Sequence, residues 1–73
     1  MDPEQHEFIL KVEGLGRPGA VEAVRRAVQG LDPGAEVEAD PGHESVTVRT
    51  HADSIEVAQA ISRAGHEARA MTG

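Results

Sequence analysis

Apolar and polar residues alternate along three stretches of the chain, and a period of two residues is typical of a half-buried β-strand. The pattern predicts strands over residues 7–13, 35–40 and 45–50, and a last short strand within residues 67–72. The residues expected to face the core from the first three strands are Phe8, Leu10 and Val12, then Ala35, Val37 and Ala39, and then Val46, Val48 and Thr50.

Between these strands, apolar residues recur every three or four positions, which predicts two amphipathic helices. We expect the first helix to begin at Pro18, whose missing N–H costs nothing at the first helical position, and to end at Gly30. We expect Asp53 or Ser54 to cap the second helix and Gly65 to end it. The expected buried faces contain Ala20, Val21, Val24, Ala27, Val28 and Leu31 in the first helix, and Val57, Ala58, Ile61 and Ala64 in the second.

The predicted element order is β-α-β-β-α-β, which indicates an α+β domain with a four-stranded antiparallel sheet and both helices on one face, the ferredoxin-like arrangement. We expect residues 1–6 to form a flexible N-terminal lead and residues 7–73 to form a single domain. In this topology the loop 14–19, the hairpin 41–44 and the junction 65–66 lie at one end of the molecule, with His6 and His51 at the other.

Composition excludes several classes of function. The chain has 73 residues, no cysteine and a formal net charge of −6. Without cysteine there is no disulfide, thiolate metal site or thiol catalysis, and the negative charge opposes binding to nucleic acid or anionic membranes. No stretch is apolar enough for membrane insertion, and no catalytic motif is present, so we expect a soluble cytoplasmic protein that is not an enzyme.

Three segments resemble a known family. They are Val12-x-Gly14-Leu15, the helical segment Val21-x-x-Val24-x-x-Ala27-Val28, and the segment Ala60-Ile61-x-x-Ala64-Gly65-His66 at the end of the second predicted helix. Together they resemble the heavy-metal-associated domain over nearly the whole chain. That family includes copper chaperones and the soluble domains of metal-transporting ATPases. The resemblance implies metal binding or metal transport, with a metal transporter or another small protein as partner. We also expect the chain to be a monomer.

The chain departs from this family in the metal loop, whose usual sequence is Gly-Met-x-Cys-x-x-Cys with two thiolates that bind a soft cation such as Cu(I). Leu15 replaces the methionine, and Arg17 and Ala20 replace the two cysteines. Thiolates are what select soft metals, and the permanent charge of Arg17 repels a cation. We therefore expect a degenerate loop without thiolate-bound Cu(I). The loop residues are Gly14, Leu15, Gly16, Arg17, Pro18, Gly19 and Ala20.

Two histidines are weak candidates for a divalent metal ion such as Zn(II), Ni(II) or Cu(II). His66 follows the Ala-Gly pair, where the family commonly has tyrosine near the metal loop, and His43 is expected at the same end of the molecule. A neutral imidazole is a good metal ligand, but two histidines make an incomplete zinc site. The competing interpretation of His66 is a partly exposed residue that the helix dipole favours.

Two other functions compete with metal handling. Arg17-Pro18-Gly19 at a strand-to-helix junction also resembles the ACT domain, an amino-acid-sensing module, in which the N–H groups of Gly16, Gly19 and Ala20 would bind a carboxylate with help from Arg17. Alternatively, the chain is a protein-interaction module that kept the fold without a ligand. Its partner would then contact an apolar spot of Ile9 and Met71 on the outer sheet face, flanked by Lys11, Arg49 and Arg69.

Overall fold

The computed structural model describes residues 5–70 and has the predicted order of elements. They are β1 (His6–Val12), α1 (Ala20–Leu31), β2 (Glu36–Asp40), a 3-10 turn (Pro41–His43), β3 (Ser45–Thr50), α2 (Ser54–Arg63) and β4 (Ala68–Ala70). All paired strands are antiparallel, and the sheet order is β2-β3-β1-β4. The ferredoxin-like α+β fold is therefore confirmed.

The core lies between the inner face of the sheet and the two helices, as the alternation predicts. Its buried members are Phe8, Leu10, Val12, Leu15, Val24, Val28, Ala35, Val46, Val48, Val57 and Ile61. Val37 and Ala39, on the edge strand β2, are only partly buried and pack against this cluster. Because nearly all of these side chains are aliphatic and many are small, the helices pack closely on the sheet.

Both helices begin or end differently from the prediction. α1 begins at Ala20 instead of Pro18, because Pro18 and Gly19 form a turn before it, and it continues past Gly30 to Leu31. Leu31 is the last residue of α1 and is 41% exposed, so its predicted burial is wrong. The predicted burial of Ala64 is also wrong, because Ala64 is the exposed C-terminal cap of α2.

The N-terminal cap of α2 is Asp53, one of the two residues that the sequence analysis allowed. Its carboxylate accepts the backbone N–H of Glu56 at 2.8 Å, and Glu56 in return accepts the N–H of Asp53 at 3.4 Å. This reciprocal pair is a capping box, which satisfies two N–H groups that the first helical turn leaves unpaired.

Three further predictions concern the N-terminal lead, the outer face of the sheet and membrane insertion. His6, assigned to the lead, is the first residue of β1 and pairs with Thr50. Ile9 is exposed on the outer face of the sheet, whereas its proposed neighbour Met71 lies outside the described residues. Neither helix in residues 5–70 has the length and apolar character needed to cross a membrane.

Candidate functional site

Three connections meet at one end of the molecule, as the topology predicts. The backbone N–H of Gly14 donates to the carboxylate of Glu44 in the β2–β3 hairpin at 3.0 Å. The N–H of Glu13 donates to the carbonyl of Glu67, in the connection between α2 and β4, at 2.9 Å. The loop that precedes α1 is thus bound at its base to both neighbouring connections.

The loop itself consists of two consecutive turns. The N–H of Arg17 donates to the carbonyl of Gly14, and the N–H of Ala20 donates to the carbonyl of Arg17, each at 3.0 Å. Gly19 has a φ of 80° and a ψ of −6°, which are the values of the third residue of a type II turn and suit glycine. Pro18 is the second residue of this turn, where its fixed φ is favoured, and this explains why it does not begin the helix.

The second turn brings the two positions of the family's thiolates together. Arg17 and Ala20 are its first and last residues, and such residues have Cα atoms less than about 7 Å apart. Ala20 is 2% exposed and contributes only a methyl group. Arg17 is exposed and folds back along the loop, so that a Cβ atom at Gly14 would lie 3.5 Å from its Nε. The residues present therefore do not fit a soft metal ion.

Leu15 has a structural part in the loop that the sequence analysis did not assign to it. Its side chain is fully buried in the core, although glycines flank it on both sides. The signal was present in the sequence, because a large apolar residue within an otherwise polar, glycine-rich turn has to be buried somewhere. Leu15 anchors the loop to the domain.

The two candidate histidines lie at this end of the molecule but do not form a recognisable metal site. His43 Nδ1 donates to Asp40 Oδ2 at 2.8 Å, which leaves Nε2 of a side chain that is 82% exposed. This hydrogen bond lowers the pKa of the Asp40 carboxyl. His66 is half-buried at the end of α2, and its backbone N–H donates to the carbonyl of Ile61 at 3.3 Å. Within residues 5–70, no group of three or more histidine, cysteine or acidic residues is placed to hold a metal.

The other two histidines lie elsewhere. His51 contacts Asp32, the residue that ends α1, through its backbone N–H at 3.0 Å and through Nδ1 at 3.4 Å. His6 begins β1, and the strand carries the chain from there to the loop. As predicted, both are separated from the loop by the length of the sheet.

The structure contradicts part of the carboxylate-binding site that the ACT interpretation predicts. That interpretation requires the N–H of Ala20 to point at a ligand, together with those of Gly16 and Gly19. The N–H of Ala20 is instead used within the loop by the carbonyl of Arg17. A donor that is already bonded in the turn is not available to a bound amino acid.

Comparison with known proteins identifies the family. No protein-family model matches the sequence, and no curated protein does so. Among solved structures, the copper chaperone Atx1 from Synechocystis PCC6803 is 31% identical, with a TM-score of 0.81 over 85% of this chain and 98% of that one. The chain belongs to the heavy-metal-associated domain family.

Other structures agree with this assignment. The N-terminal domain of PacS from Synechocystis PCC6803 is 25% identical, with a TM-score of 0.76 over 92% of this chain and 98% of that one. A gold binding protein is also 25% identical, with a TM-score of 0.80 over 86% of this chain and 97% of that one. Of these three neighbours, one is a copper chaperone and one is a gold binding protein, and all three share the fold of this chain.

Proposed function

We propose that this heavy-metal-associated domain keeps the scaffold of the metal chaperones but does not carry a soft metal ion in its loop. One observation carries the proposal: the two side chains that the second loop turn brings together are a guanidinium, from Arg17, and a methyl group, from Ala20. Neither donates an electron pair to a metal, and the guanidinium adds a permanent positive charge where a cation would bind.

A weak divalent site at the same end of the molecule is the second part of the proposal. Asp40 accepts the Nδ1 proton of His43, and such a contact orients the opposite ring nitrogen toward an ion. His66 would supply a second imidazole. Two protein ligands leave Zn(II), Ni(II) or Cu(II) with mostly water in the remaining positions, so binding would be weak.

Without a tightly held ion, contact with another protein becomes the principal role of the domain. We propose that the chain is a cytoplasmic monomer whose partner is a metal transporter or another small protein of metal handling. Membership of the family supports this class of partner, since its members include metal chaperones and domains of metal transporters. Such a partner would contact the loop end of the molecule, where Arg17 is exposed.

Metal titrations test both parts. In competition with a chromogenic chelator under reducing conditions, the wild-type protein should withdraw no Cu(I), and tight one-to-one binding would refute the first part. In a parallel titration with Zn(II) and Ni(II), weak binding should be reduced by His66→Ala and by His43→Ala, with His51→Ala as the control at the far end. If neither of the first two variants changes the binding, the second part is wrong.

A further inference from the structure

Glu44 has an unusual backbone conformation in the hairpin next to the loop. Its φ is 53° and its ψ is 40°, and within residues 5–70 it is the only residue other than glycine with a positive φ. Residues with a Cβ atom seldom adopt this left-handed conformation. Here it is held by surrounding contacts, beginning with a hydrogen bond from its own N–H to the carbonyl of Pro41 at 3.2 Å.

This conformation lets Glu44 hold β1 and the loop at the same time. Its carbonyl oxygen accepts the N–H of Val12, the last residue of β1, at 2.7 Å. Its carboxylate Oε2 accepts the N–H of Gly14, the first residue of the loop, at 3.0 Å. The other carboxylate oxygen, Oε1, lies 4.0 Å from Nζ of Lys11. One residue of the hairpin thus binds two main-chain groups that are 30 or more positions away in sequence.

The contact with Gly14 is the first in a series that runs through the loop. Gly14 donates to Glu44 and accepts from Arg17, and Arg17 in turn accepts from Ala20. A hydrogen bond to an ionised carboxylate is stronger than one between neutral groups. The bond to Glu44 therefore restrains the peptide plane before Gly14, and the bond from Arg17 restrains the plane after it.

We propose that Glu44 is a positioning residue that holds the loop in its two-turn conformation. Through its bond to Gly14, the carboxylate keeps residues 14–20 in one geometry. Arg17 is thereby presented at a fixed place at the end of the molecule. Glu44 would hold the loop in this way whether or not the protein binds Cu(I).

Amide hydrogen exchange, followed by NMR in the wild-type protein and two variants, tests the inference. Glu44→Ala removes the acceptor, whereas Glu44→Gln keeps an amide oxygen that can accept the N–H of Gly14. Both variants keep a Cβ atom, so the left-handed conformation is strained equally in each. The N–H groups of Arg17 and Ala20, which donate to the carbonyls of Gly14 and Arg17 and not to Glu44, should exchange about tenfold faster in the alanine variant. In the glutamine variant they should stay within about threefold of wild type.

Two controls separate loop release from general loss of stability. Glu13→Ala removes a carboxylate that lines an open groove together with Arg17 and Glu44 but is paired with Arg69. It should therefore leave the exchange of Arg17 and Ala20 unchanged. The N–H of Ala35, bonded to the carbonyl of Asp32 at the opposite end, should exchange equally in all variants. Unchanged exchange at Arg17 and Ala20 in Glu44→Ala, or equal acceleration at Ala35, would overturn the inference.

Discussion

At the end of the molecule opposite the loop, the carboxylate of Asp32 accepts hydrogen bonds from three other residues. It ends α1, where a negative charge is unfavourable beside the negative end of the helix dipole. Its carboxylate nevertheless accepts the buried hydroxyl of Thr50 at 2.6 Å and the N–H groups of His51 and Gly34 at 3.0 and 3.1 Å. The hydroxyl of Thr50, followed by the N–H of His51, holds the pKa of Asp32 well below its ordinary range. These donors outweigh desolvation, which alone would raise the pKa of Asp32.

Because the pKa of Asp32 is lowered in the folded state, Asp32 should make the stability of the protein depend on pH. In the unfolded chain an aspartate has a pKa of about 3.9, so the stabilisation is fully present above that pH and is lost as the pH falls below it. Asp32→Asn keeps the shape and removes the charge. It should lower the Tm at pH 7, and the difference from wild type should shrink between about pH 5 and pH 2. Thermal unfolding followed by circular dichroism measures both quantities.

A charge-matched variant makes this test specific. Glu38→Gln removes one negative charge from the exposed edge strand β2, and it should change the Tm at pH 7 less than Asp32→Asn does. A Tm difference between Asp32→Asn and wild type that is the same at pH 7 and pH 3 would contradict the role given to the ionised carboxylate.

At the scale of elements, the loop before α1 contributes to both the core and the surface. Leu15 is buried among the strands and helices, while Arg17, two residues later, is exposed. The loop is therefore anchored by packing at Leu15 and by the carboxylate of Glu44 at Gly14. This anchoring explains how a segment rich in glycine can keep a defined conformation.

Substitution of Leu15 should accordingly behave like a change in the core. Leu15→Ala should lower the free energy of unfolding by about 2–5 kcal/mol, the usual cost of a cavity. Leu15→Met, which conserves volume and restores the residue usual in the family, should cost less than about 1.5 kcal/mol. Arg17→Ala, on the exposed part of the same loop, should stay within about 0.5 kcal/mol. Urea unfolding compares the three variants, and equal effects of Leu15→Ala and Arg17→Ala would show that the loop is not anchored.

Strands were easier to predict than the loop, for a physical reason. The alternation of Val46 and Val48 with polar neighbours directly indicates which face of the strand is buried, and the structure confirms it. The sequence predicts the start of α1 two residues too early, because Pro18 suits both the first helical position and the second position of a type II turn. Only the φ of Gly19 distinguishes the two. Nothing in the sequence indicates that Glu44 adopts a left-handed conformation, because its cause lies in contacts made by distant residues.

At the scale of the whole molecule, the chain keeps the heavy-metal-associated fold around a loop without thiolates. The three connections at the loop end converge through hydrogen bonds of Glu13, Gly14 and Val12, none of which uses the side chain of Arg17 or Ala20. These contacts of the scaffold therefore do not depend on which side chains stand at positions 17 and 20. On this account, the difference between this chain and a member with the usual Gly-Met-x-Cys-x-x-Cys loop lies mainly in the side chains at positions 17 and 20.

The most direct measurement is the Cu(I) affinity of the double variant Arg17→Cys/Ala20→Cys, determined by chelator competition under reducing conditions. If the turn holds the two positions in the family's geometry, the double variant should bind one Cu(I) per chain. Its affinity should exceed that of the wild type by about a thousandfold, or roughly 4 kcal/mol, and each single variant should fall well short of it. A folded double variant that binds Cu(I) no better than the wild-type protein would contradict the account.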